Sequence, residues 1–197
     1  MTLHIVLLAA GNSSRYGGLK QRALVDGVSM LRRAAQAALA TGASVLAVTG
    51  AHEPEIAAEL AGLPLRLVHN ANWEQGMGGS VGCAFRQLAD STTASAAIIC
   101  MADQPLVGST QLQRLIDAHA SAPGKIIAAN HGAALGPPCL FPQRYFAELA
   151  QLSGPKGARP VLERHADQVD SVPMPEAAMD IDTPEDYQRL LAAGQQH

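Results

Sequence analysis

Leu3-His4-Ile5-Val6-Leu7-Leu8-Ala9-Ala10-Gly11-Asn12-Ser13-Ser14-Arg15-Tyr16-Gly17-Gly18-Leu19-Lys20 is the stretch that decides the fold. Its first half, Leu3 to Ala9, is an almost unbroken apolar run with β-branched members. That is the pattern of a strand covered on both faces, as in parallel sheets flanked by helices. Its second half is one connection holding three glycines, two serines, an arginine and a lysine. Small residues let backbone N–H groups close around an anion, and Arg15 and Lys20 bring positive charge to it. The chain has only three lysines, so finding one here favours a phosphate cradle over an ordinary solvated loop. It is not a Walker loop, because Tyr16 stands where the second glycine would be and no Gly-Lys-Ser/Thr follows. Nor is it a G-x-G-x-x-G dinucleotide turn.

Beyond this loop the periodicity alternates. Leu31, Ala34, Ala35, Ala38 and Leu39 recur at helical spacing, with Gly42 at the C-terminal stop. A strand follows over Val45 to Thr49, then a helix over Pro54 to Ala61 with Gly62 after it. Next come a strand over Leu65 to His69, a helix beginning near Ser80 with Ser80 as its cap, a strand over Ala96 to Met101 and a helix over Thr110 to Ala120. Strand and helix in strict turn predict an α/β Rossmann-like three-layer sandwich with a mostly parallel sheet. After about Ile126 the rhythm loosens. Short apolar pieces at Ile126 to Ala129, Cys139 to Phe141 and Val169 to Pro173 suggest a substrate-shaping extension of the same sheet. No linker or repeat divides residues 1–197, so a single domain is expected.

Composition narrows the function classes. The 14 Lys+Arg against 17 Asp+Glu give a net charge of −3, with no run of one sign, which disfavours nucleic acid and polybasic membrane anchoring. No apolar run reaches the ~18 residues of a membrane span, and the first residues lack a charged signal-peptide region, so a cytoplasmic location is expected. Cys83, Cys100 and Cys139 have no ligand or disulfide spacing and read as small core residues. No histidine pairs with a serine or cysteine as in a hydrolase triad, and His69 and His131 read as strand-end or loop residues.

The carboxylates offer more. Asp103 follows the strand ending at Met101, at the carboxyl edge where ligands of such sheets bind, and can serve Mg²⁺, which takes oxygen ligands. Thr183-Pro184-Glu185-Asp186 reads as a helix start, with Thr183 the N-cap and the acids facing the positive helix end. Asp180 and Asp182 lie before that cap, flank Ile181 on what reads as a short strand, and point away from it. One or both could complete a metal site with Asp103. Gly76, Gly78, Gly79 and Ser80 admit a plain turn-and-cap reading, or a nucleotide seat with free N–H groups at a helix start. Trp73 reads as packing on the core.

Leu8-Ala9-Ala10-Gly11-x-Ser13-x-Arg15-x-Gly17-x-x-Lys20 resembles the opening signature of the MobA-like nucleotidyltransferases. Asn70-x-x-Trp73-x-x-Gly76-Met77-x-x-Ser80, Asp103-Gln104-Pro105-Leu106, Gly136-x-Pro138-x-Leu140-Phe141, Gly154-x-Lys156-Gly157-Ala158-Arg159 and Asp180-Ile181-Asp182-Thr183-Pro184-Glu185-Asp186 follow in that family's order. The resemblance implies the nucleotide-diphospho-sugar transferase type of sandwich. The Ala9-Ala10-Gly11 form is similar to the molybdenum cofactor cytidylyltransferases, so the implied reaction is Mg²⁺-dependent transfer of CMP from CTP to the phosphate of molybdopterin, releasing pyrophosphate.

It also implies roles. Arg15, Lys20 and Asp103 would be catalytic, and Leu8, Ala9, Ala10, Gly11, Asn12, Ser13, Lys20, Gly76, Gly78 and Ser80 would hold the nucleotide. Gln104, Lys156 and Arg159 would face the acceptor, and Asp103 with Asp180 or Asp182 would hold the metal. A molybdenum hydroxylase or its chaperone would be a further partner. Ala134 and Pro137 depart from the cytidylyltransferase pattern. Two other readings therefore stay open: an NAD(P)H-dependent oxidoreductase of the nicotine-blue type in the same family, and a non-catalytic nucleotide-binding accessory protein for molybdenum hydroxylase maturation.

Overall fold

The structure, a computed structural model, describes residues 2–89, 94–132 and 134–194. Its centre is β1, Thr2–Leu8. Successive side chains of a strand face opposite ways. Accordingly Ile5, Leu7 and Ala9 enter one core, and Val6, Leu8 and Ala10 enter another on the far side of the sheet. This explains why the run is apolar throughout instead of alternating.

The chain then forms a small hairpin of β2 (Leu24–Val25) and β3 (Val28–Ser29), helix α1 (Met30–Ala40), β4 (Ser44–Thr49), α2 (Glu53–Glu59) and β5 (Arg66–His69). It continues through α3 (Met77–Ala89), β6 (Ala94–Met101), α4 (Ser109–Ser121), β7 (Ile126–Asn130) and β8 (Leu135–Pro142). Last come α5 (Phe146–Leu149), α6 (Arg159–Arg164), β9 (Val169–Pro173) and α7 (Pro184–Gly194). Seven strands make one sheet in the order β5-β4-β1-β6-β8-β7-β9. Among the described strands of this sheet only β8 runs antiparallel to its neighbours. Residues of α1, α2 and α4 fill the core on one face, and residues of α3, α5 and α6 fill the other, so the sandwich has three layers. The extension expected after Ile126 is strands β7, β8 and β9 of this sheet. No helix among the described residues is long and apolar enough to cross a membrane.

Two expectations are corrected. Helix α3 starts at Met77, not near Ser80, so Ser80 is not its cap. The buried Ser80 hydroxyl instead accepts a hydrogen bond from Asn70 Nδ2 at 3.0 Å. Residues 180–182 form no strand: after β9 a 3₁₀ turn at Pro175–Ala178 carries the chain across the sheet edge in a short irregular link. Ile181 is nonetheless fully buried, and its N–H donates to the Asp103 carbonyl at 2.9 Å, fixing both flanking aspartates beside β6. The start of α7 matches its expected cap: the Asp186 N–H donates to Thr183 Oγ1, and Asp186 Oδ2 accepts from the Thr183 N–H.

Candidate active site

The loop after β1 is held open from within. Ser13 Oγ donates to Gln21 Oε1 at 2.8 Å, and Gln21 Nε2 donates to the Gly11 carbonyl at 3.3 Å. Gln21 is buried, and nothing in its local pattern beyond its place next to Lys20 marks this role. Ser13 has a φ of 54°, a left-handed backbone uncommon outside glycine, which the Gln21 bridge stabilises. Among the described residues the N–H groups of Gly11, Asn12 and Ser13 donate to no protein acceptor. Three unused donors in one turn make a nest for an anion.

Lys20 closes this turn from the other side. Its Nζ donates to Asp103 Oδ2 at 2.7 Å and to Asp182 Oδ1 at 2.9 Å, and Arg15 Nη2 donates to Asp182 Oδ2 at 2.8 Å. Residues far apart in sequence thus form one chain of charges. The Lys20 side chain is 11% exposed and that of Asp103 17%, whereas Arg15 is 72% exposed. The Arg15 contact is therefore the weaker and more solvent-screened of the three. Burial alone would lower the Lys20 pKa, but the Asp103 carboxylate, helped by Asp182, reverses this and raises it. The hydrogen bond from Lys20 holds the Asp182 carboxyl below its ordinary range. Burial raises the Asp180 pKa, and the Asp103 charge adds to the effect.

Two cavities meet at this charge chain. One, of about 420 Å³, is lined by Ala9 to Ser14, Lys20, Gln21, Trp73, Gly76 and Ser80 among others. The second, of about 390 Å³, is lined by Gln104, His131, Lys156, Arg159 and Asp180 with apolar residues between them. Leu8, Arg15, Met77, Met101, Asp103 and Asp182 line both. The geometry thus separates Asp180, which faces only the second cavity, from Asp182, which faces both.

Gly76, Gly78 and Gly79 do not offer the free N–H groups expected of a nucleotide seat. Gly76 donates to the Trp73 carbonyl, Gly78 to Gly154 and Gly79 to Gly76. Gly78 does not line the first cavity. It is glycine because a Cβ there would lie 2.4 Å from the Ser153 carbonyl oxygen, and one at Gly76 would lie 2.7 Å from Pro155 Cα. These glycines let the 153–157 loop, with Lys156, press against the start of α3. Trp73 packs on the core as expected and also lines the first cavity. His131, read as a loop residue, turns out to line the second. Cys100 and Cys139 are buried, with thiols pushed up to about 12, so they are inert core residues; Cys83 is only half-buried.

As for a metal, no group of three or more His, Cys, Asp or Glu side chains among the described residues is gathered closely enough to hold one. What exists is a pair, Asp103 and Asp182, both on Lys20. Asp103 Oδ1 is buried with no hydrogen-bond partner. A buried carboxylate oxygen without a donor calls for a ligand. A pair suits a hard ion that keeps several waters and takes phosphate oxygens for the rest of its shell.

Comparison with known proteins agrees with this architecture. The chain is 31% identical over 198 residues to the nicotine blue oxidoreductase of Paenarthrobacter nicotinovorans, covering 94% of this chain and 95% of that one. It is similar to Rv0371c of Mycobacterium tuberculosis H37Rv, with 26% identity, a TM-score of 0.82, and 98% and 99% of the two chains covered. A structure of that protein in complex with manganese matches at 24% identity and a TM-score of 0.81, covering 98% and 100%. The molybdopterin-guanine dinucleotide biosynthesis protein A of Archaeoglobus fulgidus, at 15% identity and a TM-score of 0.71 over 98% and 100% of the chains, shares the fold. The sandwich is thus of the nucleotide-diphospho-sugar transferase type. Residues 5–169 match the family described as MobA-like NTP transferase domain, and the chain belongs to that family of nucleotidyltransferases.

Proposed function

We propose that the protein transfers CMP from CTP to the phosphate of molybdopterin and releases pyrophosphate. The observation that carries this reading is the Lys20–Asp103–Asp182 chain, set where an anion nest and a second cavity adjoin. An acceptor oxygen must attack the α-phosphorus as the bond to the pyrophosphate oxygen breaks, and most of the help a protein gives here is positioning and charge neutralisation. The nest at Gly11 to Ser13, with Lys20 and Arg15, binds the triphosphate and then the departing pyrophosphate. Leu8, Ala9, Ala10 and Ser80 shape the nucleotide's seat. Lys156 and Arg159 draw the acceptor phosphate, which is mostly ionised at neutral pH with a second pKa near ~6 and so needs no general base.

Asp103 and Asp182 would hold Mg²⁺, which when bound neutralises phosphate charge. The Lys20 ammonium balances the same two carboxylates in the ligand-free chain. The manganese complex of Rv0371c supports a divalent ion in this role.

The named relative at 31% identity favours a second reading, an NAD(P)H-dependent oxidoreductase. Against it, the first loop carries no dinucleotide fingerprint. Mixing the protein with Mg²⁺, molybdopterin and each nucleoside triphosphate separates the two. Pyrophosphate release with CTP is the expected result. No release with any triphosphate, together with an absorbance change at the expense of NAD(P)H, would replace the transferase reading with the oxidoreductase one.

A further inference from the structure

The second cavity holds polar side chains whose hydrogen-bonding direction is fixed by the backbone around them. Gln104 is 3% exposed, and its Nε2 donates to the Ala177 carbonyl at 2.9 Å and the Pro137 carbonyl at 3.2 Å. Both amide hydrogens are used, and a flipped amide would set oxygen against two carbonyl oxygens. Only an acceptor, Oε1, is left to offer. That oxygen is buried and has no partner among the described residues. A polar atom left so in the ligand-free chain keeps its desolvation cost uncompensated until a ligand donor meets it.

His131 has the same constraint. Its Nε2 lies 2.9 Å from the same Pro137 carbonyl. A carbonyl can only accept, so Nε2 carries a hydrogen, and in the single-hydrogen tautomer that this bond selects Nδ1 is a lone pair. The ring sits over Gly136, where a Cβ would come within 3.0 Å of Cε1. Asp180 lines the same cavity, and no Lys or Arg among the described residues pairs with it. As a carboxylate it too only accepts. Leu8, Val81, Met101 and Leu135 supply apolar walls, and Lys156 and Arg159 line the same cavity as its cations.

We infer that this cavity selects its acceptor by a donor-bearing edge, a flat heterocycle with adjacent N–H groups that Gln104 Oε1, His131 Nδ1 and the Asp180 carboxylate accept from, its anionic tail drawn to Lys156 and Arg159. The inference deepens the nucleotidyl-transfer reading and rests on it for which molecule enters this cavity. An amino-lactam ring has such an edge, an exocyclic amine beside a ring N–H. A dioxo ring of the same shape offers a carbonyl where the amine was and meets acceptor with acceptor.

The test titrates the full-length protein, by pteridine fluorescence, with 6-hydroxymethylpterin and its dioxo counterpart 6-hydroxymethyllumazine. CTP is titrated separately. The wild type is expected to bind the pterin about tenfold more tightly than the lumazine, a factor in keeping with hydrogen bonds to charged groups. Asp180→Asn, which turns half of a pure acceptor into a donor, is expected to bring the two within about twofold of each other, and His131→Phe to narrow the gap in the same direction. Equal binding of the two rings by the wild type, no binding of either, or a gap unchanged in both variants would overturn the inference. Failure of the wild type to bind CTP counts against the nucleotidyl-transfer reading instead, so the two are told apart.

Discussion

At the scale of single residues, Lys20 is the side chain on which the site turns. Its ammonium is nearly buried between two carboxylates, an arrangement that is stable only while both are ionised. Asp182 titrates below its ordinary value of 3.8 because Lys20 donates to it. A carboxyl with a lowered folded pKa adds stability above its unfolded value and loses that contribution as the pH falls through the folded one. The contribution is modest, about 1 kcal/mol at most, because Asp182 is 36% exposed and partly screened. Asp182→Asn should therefore be less stable than the wild type at pH 7, with a gap that narrows as the pH falls below the ordinary value of 3.8 and through the lowered folded one. Urea unfolding across that range checks it, and a gap independent of pH would contradict the ion-pair account.

Helix α3 makes the case at the scale of elements. Its first turn reads Met77-Gly78-Gly79, poor helix-forming sequence, and the start is fixed from outside by the Gly154 carbonyl accepting from the Gly78 N–H at 2.7 Å. Two neighbouring glycines then predict opposite outcomes. Gly78→Ala drives a Cβ to 2.4 Å from a backbone oxygen and should destabilise by about 1–3 kcal/mol, since neither backbone can yield cheaply. Gly79→Ala meets nothing closer than 3.7 Å and should be neutral or gain up to about 1 kcal/mol of helix propensity. Chemical unfolding of both variants decides; equal effects would remove the 153–157 loop as the cause.

The same helix shows what local pattern can and cannot supply. Strand β1, helix α1 with Gly42 beyond it at a φ of 79°, and the α7 cap were legible because each is specified within a few residues of itself. The start of α3 depends on a loop some 75 positions away in the chain (154 against 78), and no window around Gly78 contains it. The β2–β3 hairpin was within reach, since Asp26-Gly27 with φ of 51° and 78° is a hairpin turn signal, but strands of two residues leave almost no alternation to detect.

For the whole molecule, the sheet order brings the carboxyl ends of β1 and β6 side by side and returns the chain to them after β9. Chemistry-bearing residues were legible as types: Arg15, Lys20, Asp103, Asp180 and Asp182 could be singled out from their loops. Their division between two cavities was not, because it depends on Ile181 docking under Asp103 and on where the 175–178 turn leads. Gln21 and the acceptor polarity of Gln104 and His131 depend on backbone carbonyls that no side-chain pattern reveals.

The central claim is that Asp103, shared by both cavities, is where donor and acceptor are brought to react. Asp103→Asn keeps the shape and the bond from Lys20 while removing the charge. The direct measurement is pyrophosphate release from CTP with Mg²⁺ and molybdopterin, for this variant against the wild type at matched folded fraction. A fall of about a hundredfold or more is predicted, the scale on which one preorganised charge contact acts. Wild-type rates in the folded variant would contradict it.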